Sequence, residues 1–182
     1  IIFIMPKNSR LTKYSHILPV ERQPNWIRPT IGKVSELEKI QSIISEFRLN
    51  TICEEARCPN RGECFSAGTA TFLIGGSICT RSCAFCQVEK GKPTKQLDHF
   101  EADRIATAVI KMNLKYVVIT SVARDDLPDH GASLFTKTIA AIRKLNPLIA
   151  IEVLTPDFWG GDTDKTCAIN KQRERLAEVL KS

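Results

Sequence analysis

Six cysteines within 34 residues are the chemistry-bearing feature of this 182-residue sequence. They fall into two triplets. Cys53, Cys58 and Cys64 lie in CEEARCPNRGEC, spaced C-x4-C-x5-C, and Cys79, Cys83 and Cys86 lie in CTRSCAFC, spaced C-x3-C-x2-C. The count of seven is odd, and the opening IIFIM is too short for a signal h-region, so a disulfide framework is not expected. Clustered thiolates in a reducing compartment point to metal. Zinc sites close with four ligands, often in paired C-x2-C knuckles. Only Cys83 and Cys86 make such a knuckle, and His16, His99 and His130 supply no H-x3–5-H pair after it to complete a finger. A ferredoxin cluster takes four thiolates. Two triplets therefore suggest two iron–sulfur clusters, each one protein ligand short. A cubane on three thiolates leaves one iron open to bind and activate a small molecule. The alternative is a binding module, either zinc-braced or ferredoxin-like, with closed metal sites. Ligand number separates the two. Cys167 stands alone and is read as a non-ligand thiol.

The elements that must hold these residues are readable from periodicity. Residues 34–48 carry Val34, Leu37, Ile40, Ile43, Ile44 and Phe47 at helical spacing, with Ser35 and Glu38 as a capping box. The first triplet follows in a polar stretch with Pro59 and Gly62, expected as loop. TFLIG (71–75) reads as a short buried strand, with the second triplet in the loop after it. A helix over 99–112, opened by Asp98 and Glu101, turns Ala102, Ile105, Ala106, Val109 and Met112 inward and ends near Asn113. YVVIT (116–120) is a continuous apolar run of the parallel-sheet kind. A helix over 133–145 faces inward with Phe135, Ile139, Ile142 and Leu145 and stops at Asn146-Pro147. LIAIEVL (148–154) is a third strand, and a third helix covers roughly 170–181. Strand–helix repeated three times is an α/β architecture with parallel strands. Three units do not close a barrel, and half of a larger one is expected, in a truncated chain. Chemistry in such folds sits on the loops after the strands. Here those loops are the second triplet, SVARDD and TPDF.

Composition narrows the partners. Hydrophobic residues at 43% and charged residues at 25% are globular values. Lys+Arg 26 against Asp+Glu 20 leaves a formal +6, mild and spread along the chain. Aromatics at 7% are too few for a single-strand stacking platform. No apolar run approaches a membrane span. Neither nucleic acid nor membrane is expected as a partner. Residues 1–30, with Pro6, Pro19, Pro24 and Pro29, read as a loosely held arm.

These motifs carry a family resemblance. CTRSCAFC (79–86) is similar to the signature of radical S-adenosylmethionine enzymes. TICEEARCPNRGEC (51–64), YVVITSVARDDLPDHGA (116–132) and IEVLTPDFWGG (151–161) together resemble the lipoyl synthases, over roughly residues 24–182. The first triplet in its CEEARCPN context speaks against other radical enzymes such as methylthiotransferases. The resemblance implies a partial (β/α) barrel of the radical S-adenosylmethionine type, about three βα units over 71–182. Before it, residues 1–70 form a helical and loop extension that carries the auxiliary-cluster motif.

The resemblance also implies roles. Cys79, Cys83 and Cys86 would hold a 4Fe–4S cluster that binds S-adenosylmethionine and generates a 5′-deoxyadenosyl radical. Cys53, Cys58 and Cys64 would hold an auxiliary 4Fe–4S cluster that donates sulfur. The substrate would be an octanoyl chain on a lipoyl carrier domain, of a 2-oxoacid dehydrogenase E2 or a glycine cleavage H protein, sulfurated at C6 and C8. Unactivated C–H bonds call for no acid–base triad, so no catalytic side chain is assigned. The electron donor would be a ferredoxin or flavodoxin, and the compartment the cytoplasm. Phe85 would lie near the adenine or simply pack beside the cluster. Ser121 and Asp125 would contact the cofactor. Arg124 and Asp126 would do so too, or form an internal pair in a solvated turn. Glu152, a charge inside an apolar strand, would meet the cofactor or pair with a lysine or arginine. Lys90, Lys92, Arg57 and Arg61 would face an acidic carrier or form an ordinary solvated surface. The family's Arg-Ser-Ser-Tyr stretch, source of a serine ligand to the auxiliary cluster, is not in this sequence. The 182 residues alone are therefore expected to be inactive.

Overall fold

A computed structural model describes residues 34–93, 96–159 and 165–182. The Pro-rich arm and the Cys167 side chain lie outside the described residues. Helix α1 (Val34–Glu46) forms where the 3.6-residue period predicts it and buries Ile40, Ile43 and Ile44. It starts at Val34, so Ser35 lies inside its first turn instead of capping it.

The first triplet is not on a plain loop. Strand β1 (Asn50–Thr51) leads into helix α2 (Ile52–Glu55), and helix α3 (Arg61–Ser66) follows. Thr51 is extended, and its Oγ1 accepts the amide hydrogen of Glu54 at 3.3 Å. Glu54 and Glu55 sit in that first turn, where the helix dipole favours negative charge. Pro59 and Gly62 read as loop signals, yet Pro59 precedes α3 and Gly62 is buried within it.

The main sheet has the order β1, β2 (Thr69–Ile74), β5 (Tyr116–Ser121), β6 (Ala150–Leu154). Strand β2 pairs parallel with β5, and β5 pairs parallel with β6. β1 runs antiparallel to β2. Helices α4 (Glu101–Lys111), α5 (Ala132–Leu145) and α6 (Lys165–Leu180) complete the three repeated units. Leu148, expected in the third strand, precedes it and is 94% exposed. Leu145, expected inward, is exposed at the last turn of α5, which Asn146 ends.

The two faces of the sheet differ. Ala70, Phe72 and Ile74 of β2 and Val117 and Ile119 of β5 belong to the main core, and the half-buried Ile151 and Val153 of β6 pack against it. They share it with Ile105, Ala106 and Val109 of α4 and Phe135, Ile139 and Ile142 of α5. Fully burying each of the larger side chains, Val, Ile or Phe, contributes roughly 1.5–3 kcal/mol. The alternate positions, among them Thr71, Val118 and Glu152 in register, lie on the other face. At its carboxyl end a small cluster of Leu73, Val88 and Val122 forms, with Ile52, Cys79 and Cys86 packed against it. Among the described residues no helix is long and apolar enough to cross a membrane.

Candidate functional site

The second triplet hangs from the carboxyl end of β2 through a glycine hinge. Gly75 and Gly76 take φ of +85° and +99°, the left-handed region that glycine tolerates. Strand β3 (Ile78–Cys79) then pairs in parallel with β4 (Glu89–Lys90), and Gly91 N donates to Cys79 O at 2.9 Å. This short ladder closes the base of the cysteine loop. Within the loop Cys86 N donates to Cys83 O at 3.2 Å. Cys79 and Cys86 are half-buried against the small apolar cluster, and Cys83 is exposed. The Cys79 sulfur accepts the amide hydrogen of Ala123 at 3.3 Å. Phe85 is 87% exposed, so packing in this structure does not account for it. A cleft of about 390 Å³ walled by Gly75, Gly76, Ile78, Glu101 and Arg124 has no cysteine in its lining.

The first triplet is anchored by the two short helices. Cys53 is buried in α2, and Cys58 and Cys64 are half-buried. Cys58 N donates to Cys53 O at 3.1 Å, and Cys64 N to Asn60 O at 3.1 Å. Burial, and then the neighbouring Cys58 and Cys64 sulfurs, push the Cys53 thiol above its ordinary range. Ile52, one residue before Cys53, packs on the apolar cluster that also holds Cys79 and Cys86. Cys53 itself belongs to the main core. All six cysteines are free thiols. Among the described residues no three His, Cys, Asp or Glu side chains already converge as a metal site. The fit to iron–sulfur clusters is one of donor chemistry, three soft free sulfurs to each group.

Arg81, between Cys79 and Cys83, is the residue that sequence reading missed. Its Nε donates to Asp125 Oδ2 at 2.9 Å and its Nη2 to Asp125 Oδ1 at 2.7 Å. Nη1 donates to Asp157 Oδ1 at 2.5 Å, and Nη2 also to Trp159 O at 2.6 Å. Thr80 Oγ1 donates to Asp125 Oδ2 at 2.7 Å. The Arg81 guanidinium, more than any other group, holds the Asp125 carboxyl down to about 2. His130, also unassigned by sequence, is buried with its Nδ1 3.4 Å from Asp125 Oδ1 and without a hydrogen bond. The available signal was an arginine flanked by cysteine ligands, with acids on the loops after the next two strands.

The other expected residues separate. The Ser121 hydroxyl, at the end of β5, is buried without a hydrogen-bond partner among the described residues. Strand alternation puts Ser121 on the face of Ile119, paired with Ile74. Glu152 lies on the opposite face and accepts from the Tyr116 hydroxyl at 2.5 Å, so its partner is neither lysine nor arginine. Arg124 and Asp126 form the internal pair, at 2.8 and 2.7 Å, but Arg124 is buried and also donates to Gly75 O at 2.9 Å. Lys90, Lys92 and Arg57 are exposed and Arg61 is half-buried.

No protein-family model matches the chain. It is 64% identical over 178 residues to lipoyl synthase 2 of Prochlorococcus marinus, covering 98% of this chain and 58% of the relative. Lipoyl synthase 2 of Parasynechococcus marenigrum is 65% identical over 170 residues, 93% of this chain and 57% of the relative. Lipoyl synthase of Deinococcus radiodurans is 52% identical over 143 residues, 79% of this chain and 43% of the relative. The chain thus spans less than two thirds of the length of these curated relatives. Over the residues that it shares with them, the chain is similar to the lipoyl synthases at 52–65% identity.

Proposed function

We propose that this chain carries the radical-generating part of a lipoyl synthase, a sulfurtransferase that inserts two sulfur atoms at C6 and C8 of a protein-bound octanoyl chain. The observation that carries this reading is the two triplets of free thiols, the second on the loop after a parallel strand. When bound, two 4Fe–4S clusters would supply the electron that cleaves S-adenosylmethionine and the sulfur that is inserted. Cys79, Cys83 and Cys86 would hold the first and Cys53, Cys58 and Cys64 the second. The exposed ring of Phe85 is free to stack on the adenine, and Ser121 would be a cofactor contact by family resemblance, although its hydroxyl is buried on the helix side of the sheet. Asp125 borders the same loop, and Glu152 lies on the sheet face that the helices leave uncovered. The small apolar cluster under the cysteines keeps water from the buried side of the loop.

The open sheet with parallel strands is the start of a (β/α) barrel in this reading, with residues 1–70 as the extension before it. Substrate and redox partners follow from the family. They are an octanoylated carrier domain (2-oxoacid dehydrogenase E2 or glycine cleavage H protein) and a ferredoxin or flavodoxin, in the cytoplasm. The basic Arg57, Arg61, Lys90 and Lys92 would face the carrier. The relatives are longer, and the 182 residues by themselves are proposed to bind clusters without completing turnover.

Anaerobic reconstitution tests this, with iron, sulfide and zinc counted per chain. Electron paramagnetic resonance of the reduced protein is recorded with and without S-adenosylmethionine. About eight irons, and a spectrum that the nucleotide changes, are expected. Zinc in place of iron, or a folded sample whose spectrum ignores the nucleotide, would favour the closed binding module instead.

A further inference from the structure

We propose that Arg81 is a positioning residue, which with Asp125 as its anchor locks the cysteine loop to the loops that follow β5 and β6. The inference rests on the reading of Cys79, Cys83 and Cys86 as cluster ligands. Arg81 sits two residues from each of Cys79 and Cys83, yet none of its hydrogen bonds stays within its own loop. Its partners lie 44, 76 and 78 residues away, on Asp125, Asp157 and the Trp159 carbonyl. The pair with Asp125 is the parallel two-point fork that guanidinium and carboxylate geometry favours, which fixes direction as well as distance. A lysine would offer a charge there without the fork.

The neighbouring residue repeats the tie. Thr80 N donates to Ala123 O at 3.1 Å, and Asp125 N donates back to Thr80 Oγ1 at 3.2 Å. With the Cys79 sulfur accepting from Ala123 N, three consecutive residues of the cysteine loop are fastened to residues 123–125. Both Asp125 oxygens are engaged, by Thr80 and twice by Arg81. Asp125 is therefore better placed to act through Arg81 than to bind a nucleotide directly. The ion pairs are partly exposed, at 29% for Arg81 and 31% for Asp125, so their worth as stability is small. What they supply is geometry. The loop that must present three sulfurs is held at a set position over the carboxyl ends of β5 and β6.

Hydrogen exchange of the metal-free chain, followed over residues 79–87, tests the lock without any cofactor. R81Q and D125N should exchange there about tenfold faster than the parent chain while α5 and β5 keep their protection. R81K, which keeps the charge and loses the fork, should fall between. After reconstitution, R81Q should retain the iron of the first triplet and lose most of the nucleotide-dependent spectral change. Parent-like exchange and a parent-like spectral response in R81Q would overturn the proposal. Should R81Q fail to fold, R81K decides on the same two readouts, and unchanged protection there overturns it. A parent chain that takes up no iron at the second triplet would sink the cluster reading alone. The exchange data on metal-free protein would still decide whether Arg81 locks the loop.

Discussion

The carboxylate of Glu101, in the first turn of α4, accepts the amide hydrogen of Gly75 at 2.9 Å across 26 residues of sequence. Arg124 donates to the carbonyl of the same glycine, also at 2.9 Å. The peptide groups flanking the hinge are thus gripped from two different elements, and the cysteine loop leaves the sheet from a fixed point. Glu101→Ala strands the Gly75 amide and is expected to cost about 1–3 kcal/mol in denaturant unfolding. Gly75→Ala meets both a left-handed φ of +85° and Leu134 Cδ1 at 3.2 Å from the new Cβ. That substitution should cost about 1–2 kcal/mol by the same assay. A neutral result for both variants would show that the hinge is not held as described.

Two acids should give opposite signatures in the dependence of stability on pH. Asp125 falls to about 2 in the folded chain, chiefly through Arg81. Its contribution is complete above the ordinary carboxylate value of 3.8 and is lost as pH falls towards about 2. Burial raises Glu101 above its ordinary 4.5. Its contribution is complete below 4.5 and is lost as pH rises through the raised value. Urea unfolding between pH 7 and pH 2.5 should therefore fall less steeply with acid for D125N than for the parent. For E101Q the loss of stability on rising from pH 4 towards neutrality should be reduced. Parallel curves for all three chains would contradict both assignments.

Phe85 separates a packing role from a binding role. An 87% exposed ring contributes little to the core, so F85A should change unfolding free energy by less than about 0.5 kcal/mol. If the ring stacks on adenine, the same variant should need more S-adenosylmethionine to produce the spectral change of the reconstituted protein. A loss of stability with unchanged nucleotide response would return Phe85 to packing.

The two triplets should lose iron independently. Replacing Cys79, Cys83 and Cys86 with alanine should leave about four irons per chain, and so should replacing Cys53, Cys58 and Cys64. Only the first replacement should abolish the response to the nucleotide. Because Cys53 is buried, the second should also lower stability, by about 1–3 kcal/mol. Loss of all iron in either variant would mean that the six thiols form a single site.

Much of this protein is written in its local sequence. The periodicity of residues 34–48 and the apolar run 116–120 specify a helix and a buried strand because each pattern is a property of neighbouring residues. The alternation of such segments is enough to imply parallel strands. The spacing of the six cysteines needs no fold at all to suggest metal. The short helices α2 and α3 are hidden because Pro59 and Gly62 are turn residues by local rule, whereas Pro59 lies just before α3 and Gly62 is buried within it. Leu145 carries the right period but stands at the last turn of α5, where burial stops. The partners of Arg81, Arg124 and Glu101 were likewise invisible, because they stand up to 78 residues apart in the chain and meet only where parallel strands end side by side. Sequence determined which groups this protein has for chemistry, and tertiary structure decided which of them hold the others in place. The reason is that hydrogen bonds and ion pairs act over about 3 Å in space, a distance that chain order does not encode.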